Sequence, residues 1–233
     1  MRRNVLRFSW LLTLVAPLGL AVACIDTEGT MKEYLDRTAD IRGVAQSDTG
    51  PPPDVTVGTG GLTPGTYYVV CLPALAGGDL EKSLRFKATV TYDDAVAPAE
   101  STMSMKFQIL PINGVKTSEA IGPIFPDPTA ASSLVRDGYF KLNFGTSPTL
   151  PKEGNGLTHA DFGLSDLIVE GLLTAPPTRF CTALNGKTQP SGIEIKRDLD
   201  FCIGQLVTDE NAAMPVPAPN EYACPVVGRD AGF

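Results

Sequence analysis

The sequence predicts an all-β protein, an antiparallel sandwich or a small up-and-down barrel of eight to nine strands. Three observations carry this. Three segments alternate apolar and polar residues with a period of two, no stretch of the body sustains helical periodicity, and turn residues separate the short apolar runs. Leu84, Phe86, Ala88, Val90 and Tyr92 alternate with Arg85, Lys87, Thr89, Thr91 and Asp93. Met103, Met105, Phe107 and Ile109 alternate with Ser104, Lys106 and Gln108, and Phe140, Leu142 and Phe144 with Lys141 and Asn143. Alternation of this kind puts one face on a core and one in water, which marks antiparallel rather than parallel pairing.

The other strands read less strongly, at 66–72, 117–124, 160–174, 178–185, 192–196 and 199–207. Within 160–174, Ser165-Asp166 breaks the alternation and predicts a bulge. Asn113-Gly114 predicts a tight hairpin turn, since both residues tolerate positive φ. The β-domain is expected over residues 62–207, followed by a Pro-rich tail, 208–233, tied down by a disulfide through Cys224.

Residues 1–23 read as an export signal. Arg2, Arg3 and Arg7 make a basic head, and Phe8 to Ala23 is apolar but too short to span a bilayer. Its end, Ala21-Val22-Ala23-Cys24, resembles the lipobox of bacterial lipoproteins. That resemblance implies cleavage before Cys24, a diacylglycerol on its sulfur and, with Ile25 next, the outer membrane, facing the periplasm or the cell surface. Ala21 stands where that family has Leu or Val. The alternative is ordinary cleavage after Ala23, leaving a soluble secreted chain. Arg2-Arg3 also fits a twin-arginine signal, so the export route stays open.

Residues 24–61 are the lipidated terminus and a flexible linker, with a two-turn helix expected near 30–38 and Pro51-Pro52-Pro53 stiffening the spacer. Loss of the signal removes three arginines and the lone Trp10, taking the net charge from −7 to −10. That charge excludes a nucleic-acid partner, which needs a basic face. The expected attachments are the membrane, through the lipid, and a protein of the envelope.

With Cys24 spent on the anchor, Cys71, Cys181, Cys202 and Cys224 remain as candidates for two disulfides in an oxidising compartment. Of three pairings, Cys71–Cys181 with Cys202–Cys224 is expected, because the second would fasten the tail through a short loop. No C-x-x-C spacing supports a zinc site.

Chemistry is sparse. His159, with Asp161 and Ser165 near it in sequence, lacks the G-x-S-x-G turn of a serine hydrolase. Asp93-Asp94 and Asp198-Leu199-Asp200 lack calcium-loop spacing, and Lys82-Ser83 lacks the preceding glycine of a P-loop. The expectation is no catalytic residue, no metal and no cofactor. Gly65-Thr66-Tyr67 is similar to the G-x-W that opens the first strand of lipocalins, with tyrosine for tryptophan. This implies an up-and-down barrel carrying a small apolar ligand. The lipobox, the linker and the two Phe-Cys strands also resemble tethered β-domain lipoproteins of myxobacteria, a likeness that brings no activity. The leading expectation is therefore a non-catalytic, lipid-anchored structural or interaction module.

Overall fold

The computed structural model describes residues 61–95 and 100–224. The export signal, Cys24, the helix near 30–38, the linker and the last nine residues lie outside the described residues.

The described chain is a meander that closes on itself. The strands are β1 (Gly65–Leu72), β2 (Leu84–Asp93), β3 (Ser101–Ile109), β4 (Ile121–Phe125), β5 (Ala131–Arg136), β6 (Tyr139–Gly145), β7 (Gly163–Thr174), β8 (Arg179–Gln189), β9 (Glu194–Ile195) and β10 (Phe201–Leu206). Eight of them, in the order β1-β2-β3-β5-β6-β7-β8-β10, pair antiparallel, and β10 pairs back onto β1. The short strands β4 and β9 hang on β3 and β8. The sandwich-or-barrel alternative is thus resolved as a closed up-and-down barrel. Closure leaves no long open edge, which is the usual hazard of a sheet.

Following the register from strand to strand returns to β1 about ten residues from the start, a stagger that makes an eight-stranded barrel just wide enough to be filled by side chains or to hold one small ligand. Here side chains fill it. Tyr67, Val69, Met103, Met105, Phe140, Leu142, Val169 and Phe180 all point inward and are buried. Their rings interlock across strands: Phe180 on β8 meets Tyr67 on β1 at 5.2 Å and Phe140 on β6 at 6.2 Å. Phe107 on β3 stacks on Phe144 on β6 at 4.8 Å. Two glycines make room for this. A Cβ on Gly204 would lie 2.2 Å from the Phe180 ring, and one on Gly171 would lie 2.2 Å from the Phe140 ring.

The outer face carries Lys87, Thr89, Lys106, Gln108, Lys141 and Asn143. An apolar interior with a charged exterior reverses the pattern by which membrane barrels show an apolar band to lipid. No helix among the described residues is long and apolar enough to cross a membrane.

The three alternating segments are β2, β3 and β6, and the bulge falls where Ser165-Asp166 predicts it: the β7–β8 register shifts between Ser165 and Ile168, with Asp166 at φ 53°. Two expectations are corrected. Asn113 does adopt positive φ, but it turns the chain into a 3-10 turn at Thr117–Glu119 before β4, so no tight hairpin forms there. The tight hairpin is β5–β6, where Asp137 and Gly138 have φ of 49° and 74°. Asp-Gly is a strong hairpin signal. The segment before it, Ala-Ser-Ser-Leu-Val-Arg, alternates too weakly to mark β5 in the sequence.

The expected disulfide pairing is also corrected. The bridges are Cys71–Cys202 and Cys181–Cys224. Period-two geometry explains it. Cys71 and Cys202 both face the interior and sit directly opposite each other on β1 and β10, whereas Cys181 faces outward from β8. Cys71 and Cys181 are therefore on opposite sides of the wall. The first bridge staples the seam where the barrel closes. The second pins the tail, as expected, but to β8.

That tail is a strap. The outer face of β1 and β10 is apolar at Tyr68, Val70, Leu72 and Ile203, and Val207, Met214, Val216 and Tyr222 cover it. Ion pairs Lys87–Glu210 at 2.8 Å and Arg179–Glu221 at 2.6 Å hold the strap along its length.

Candidate functional site

The barrel has two unlike ends. The chain enters β1 at one, near Gly61, and the other is a mouth formed where β1 ends, β2 begins and β8 runs past β10 to meet β9. The mouth holds an apolar pocket of about 50 Å³. Its walls are aliphatic, Leu84, Leu157, Leu184, Ile193 and Ile195, with Phe162, Phe201 and the Cys71 sulfur of the seam disulfide. Leu75 stands at the lip with 62% of its surface exposed, and Leu199, beside the lining residue Asp200, is 49% exposed.

Most polar residues of the rim are spent on the rim itself, while Glu194 stands exposed at the lip. Asp200 accepts from the Ala74 N–H through Oδ1 at 2.8 Å and from the Lys196 N–H through Oδ2 at 2.5 Å, tying two loops to the mouth. Asn155 donates through Nδ2 to Thr158 Oγ1 and the Ala160 carbonyl, and accepts from the Leu157 and Thr158 N–H groups. Thr188 Oγ1 is bonded to Ser191 Oγ and accepts from the Ile193 N–H. Polar loops with satisfied partners thus hold an apolar lining in place.

The residues singled out for chemistry do not converge. His159 is exposed on a loop at φ 52°. Asp161 accepts from the Lys152 N–H at 2.8 Å, and Ser165 is buried in the β7 bulge. Asp94 accepts from Ser101 Oγ at the end of β2, and Asp200 braces the mouth. Asp198 stays on the surface. Among the described residues, no three His, Cys, Asp or Glu side chains gather as a metal group would need.

The structure adds a polar cluster the sequence did not single out. Glu170, buried on the outer wall of β7, accepts from Tyr139 Oη at 2.9 Å and pairs with Lys141 at 3.3 Å and with Arg197. Burial, reinforced by the hydrogen bond to Glu170, pushes the Tyr139 hydroxyl up to about 12. These groups clamp the 196–200 loop to the wall beside Cys181–Cys224. The only sequence signal was the phase of Glu170 in β7, where outward residues are expected to be polar. An open groove of about 420 Å³ lies at the entry end between the β7–β8 turn and the strap, bordered by Pro176, Arg179, Gln205, Met214 and Val216.

Comparison of the chain with protein-family models, with curated proteins and with solved structures finds no match in any of the three.

Proposed function

We propose that this protein is a non-catalytic, lipid-anchored module of the outer envelope, held through Cys24 and displaying a rigid barrel for structural or protein-interaction roles. The observation that carries the reading is the filled interior of a barrel stapled at its seam and at its strap. Rings from β1, β3, β6 and β8 occupy the lumen, and disulfides fix both its seam and its strap. Two disulfides fit an oxidising compartment, as the export signal implies. A carrier of the lipocalin type needs several hundred cubic ångströms of lumen. The pocket of about 50 Å³ at the mouth does not supply that.

The anchor is tested by feeding cells an alkyne-tagged fatty acid and following the label. Label on the wild-type chain, lost together with membrane fractionation in Cys24→Ala, supports the reading; an unlabelled wild-type chain overturns it. The interaction role is tested by mild crosslinking in intact cells, where the expected result is a discrete envelope neighbour. Recovery of no neighbour above background counts against it.

A further inference from the structure

The mouth holds a small apolar recess, and its chemistry restricts what could enter it. Its depth is lined by aliphatic, aromatic and sulfur groups, and the polar side chains of its rim hydrogen-bond to the rim's own loops, apart from Glu194, which is exposed at the lip. A group entering it would gain apolar contact and find its surroundings already satisfied. A ligand that had to bury a charge or amide at depth would pay desolvation with no partner in return. A peptide strand binds through main-chain hydrogen bonds. Here the N–H groups of Ala74, Leu157, Thr158, Ile193 and Lys196 are already engaged by rim side chains. The volume of about 50 Å³ is well below that of drug-sized pockets, about 300–1,000 Å³, so the fit is to one slim group rather than a fused ring system.

We propose that the mouth is a binding socket for the end of a single linear alkyl chain. The terminal methylenes enter between Leu157 and Ile193, toward Leu84 and Leu184, while the rest of the chain lies over exposed Leu75 and Leu199 and the polar head stays in water. The loops need no rearrangement, because Asp200 and Asn155 already hold them open. This inference does not depend on the anchor, since the socket is at the barrel end away from the chain's entry at Gly61.

The test uses the full chain carrying Cys24→Ser, which removes any lipid of its own, titrated with monomeric n-alkyl maltosides of increasing length. Affinity is expected to rise about fourfold per methylene, the equivalent of about 0.8 kcal/mol, and to level off once the socket is full. Leu157→Trp and Ile193→Trp fill the socket from opposite walls and should each weaken binding at least tenfold. Leu134→Trp, at the other end of the barrel, should not. Vesicles of phosphatidylethanolamine and phosphatidylglycerol form a second arm. Vesicle binding lost in the same two variants identifies a bilayer as a source of the chain, and maltoside binding alone identifies a free amphiphile. Should the tryptophan variants misfold, methyl NMR on the parent chain decides: maltoside-induced shifts confined to the leucines and isoleucines of the socket and to Leu75 and Leu199 at its lip support the socket. No saturable binding, binding indifferent to the tryptophans in folded variants, or shifts scattered over the barrel would each overturn it.

Discussion

The filled lumen makes a quantitative claim that one residue pair can test. Phe180 is fully buried, and its ring lies flat on Gly204 across the β8–β10 pairing. A Cβ on residue 204 would sit 2.2, 2.5 and 2.6 Å from three ring carbons, so Gly204→Ala must push the ring into Tyr67 and Phe140. Overpacking of this kind costs about 1–3 kcal/mol, partly offset by the roughly 0.5–1 kcal/mol that alanine gains over glycine in a strand. A net loss of about 1–2 kcal/mol should lower Tm by about 2–8 °C for a domain of this size. Phe180→Ala leaves a cavity instead and should cost about 3–5 kcal/mol. Combining Gly204→Ala with Phe180→Leu should cost less than the two changes summed, with a coupling of about 0.5–3 kcal/mol, because the smaller side chain vacates the space the methyl needs. The assay is thermal and urea unfolding with both disulfides intact. A neutral Gly204→Ala would refute the reasoning. It would mean that the ring has slack to move into, and a lumen with slack could carry a ligand.

Removing the seam bridge with Cys71→Ser and Cys202→Ser opens a loop of 131 residues and should cost about 5 kcal/mol by loop entropy, against about 4 for the 43-residue span of Cys181–Cys224; equal midpoints for wild type and either variant in urea would contradict this. Under graded treatment with a dithiol, Cys181 and Cys224 should be alkylated before Cys71 and Cys202, since the strap bridge is on the outer wall and the seam bridge is inside the barrel; mass spectrometry that finds all four modified together would refute it. Burial raises the hydroxyls of Tyr67, Tyr68 and Tyr222 and takes Tyr139 to about 12, so the stability they contribute is complete below the ordinary value near 10 and is lost as pH rises through the folded values. The tyrosinate absorbance of these four, among the chain's six tyrosines, should therefore appear together with unfolding. Glu210 and Glu221 are held below their ordinary 4.5 by hydrogen bonds from Lys87 and Arg179, so their small contribution is present above that value and fades as pH falls below it. Hydrogen exchange in residues 207–224 should rise in that range before exchange in the barrel strands does.

Much of the fold was legible because the barrel obeys a period of two. In β2, β3 and β6 the apolar phase is buried, with Arg85 and Tyr139 buried on the outer wall besides, and even the bulge at Ser165-Asp166 was written as a break in that phase. β5 escaped because Ser132 and Ser133 blur the alternation, though Asp137-Gly138 announced its turn. The bridges show where the limit falls. Four cysteines gave the number of disulfides, but the pairing depends on which strands become neighbours, and the β1–β10 contact joins residues 131 apart. Loop length favoured the wrong partner for Cys224 because it ignores the side of the wall a cysteine faces. The mouth was illegible for the same reason. Its leucines and isoleucines come from residues 75 to 195, each unremarkable in its own segment, and only closure brings them to one rim.

The two ends of the barrel are finished by different means, and this bears on function. At the entry end, Tyr67 caps the Thr63 carbonyl at 2.6 Å, the Thr63 N–H bonds Pro177, and the strap passes alongside, held by Arg179–Glu221. These contacts bind the incoming chain to the body. At the mouth, Asp200, Asn155 and Thr188 are turned back on their own loops, and Leu75 and Leu199 stay in water. Exposed leucines beside an apolar recess cost solubility and add nothing to a core that is already filled. A domain selected only for stability would be expected to cover them, as the strap covers Tyr68, Val70 and Ile203 on the wall. The same chain therefore buries one apolar face under its own tail and leaves another open. The open one is where the proposed alkyl chain, rather than the fold, would supply the missing contact.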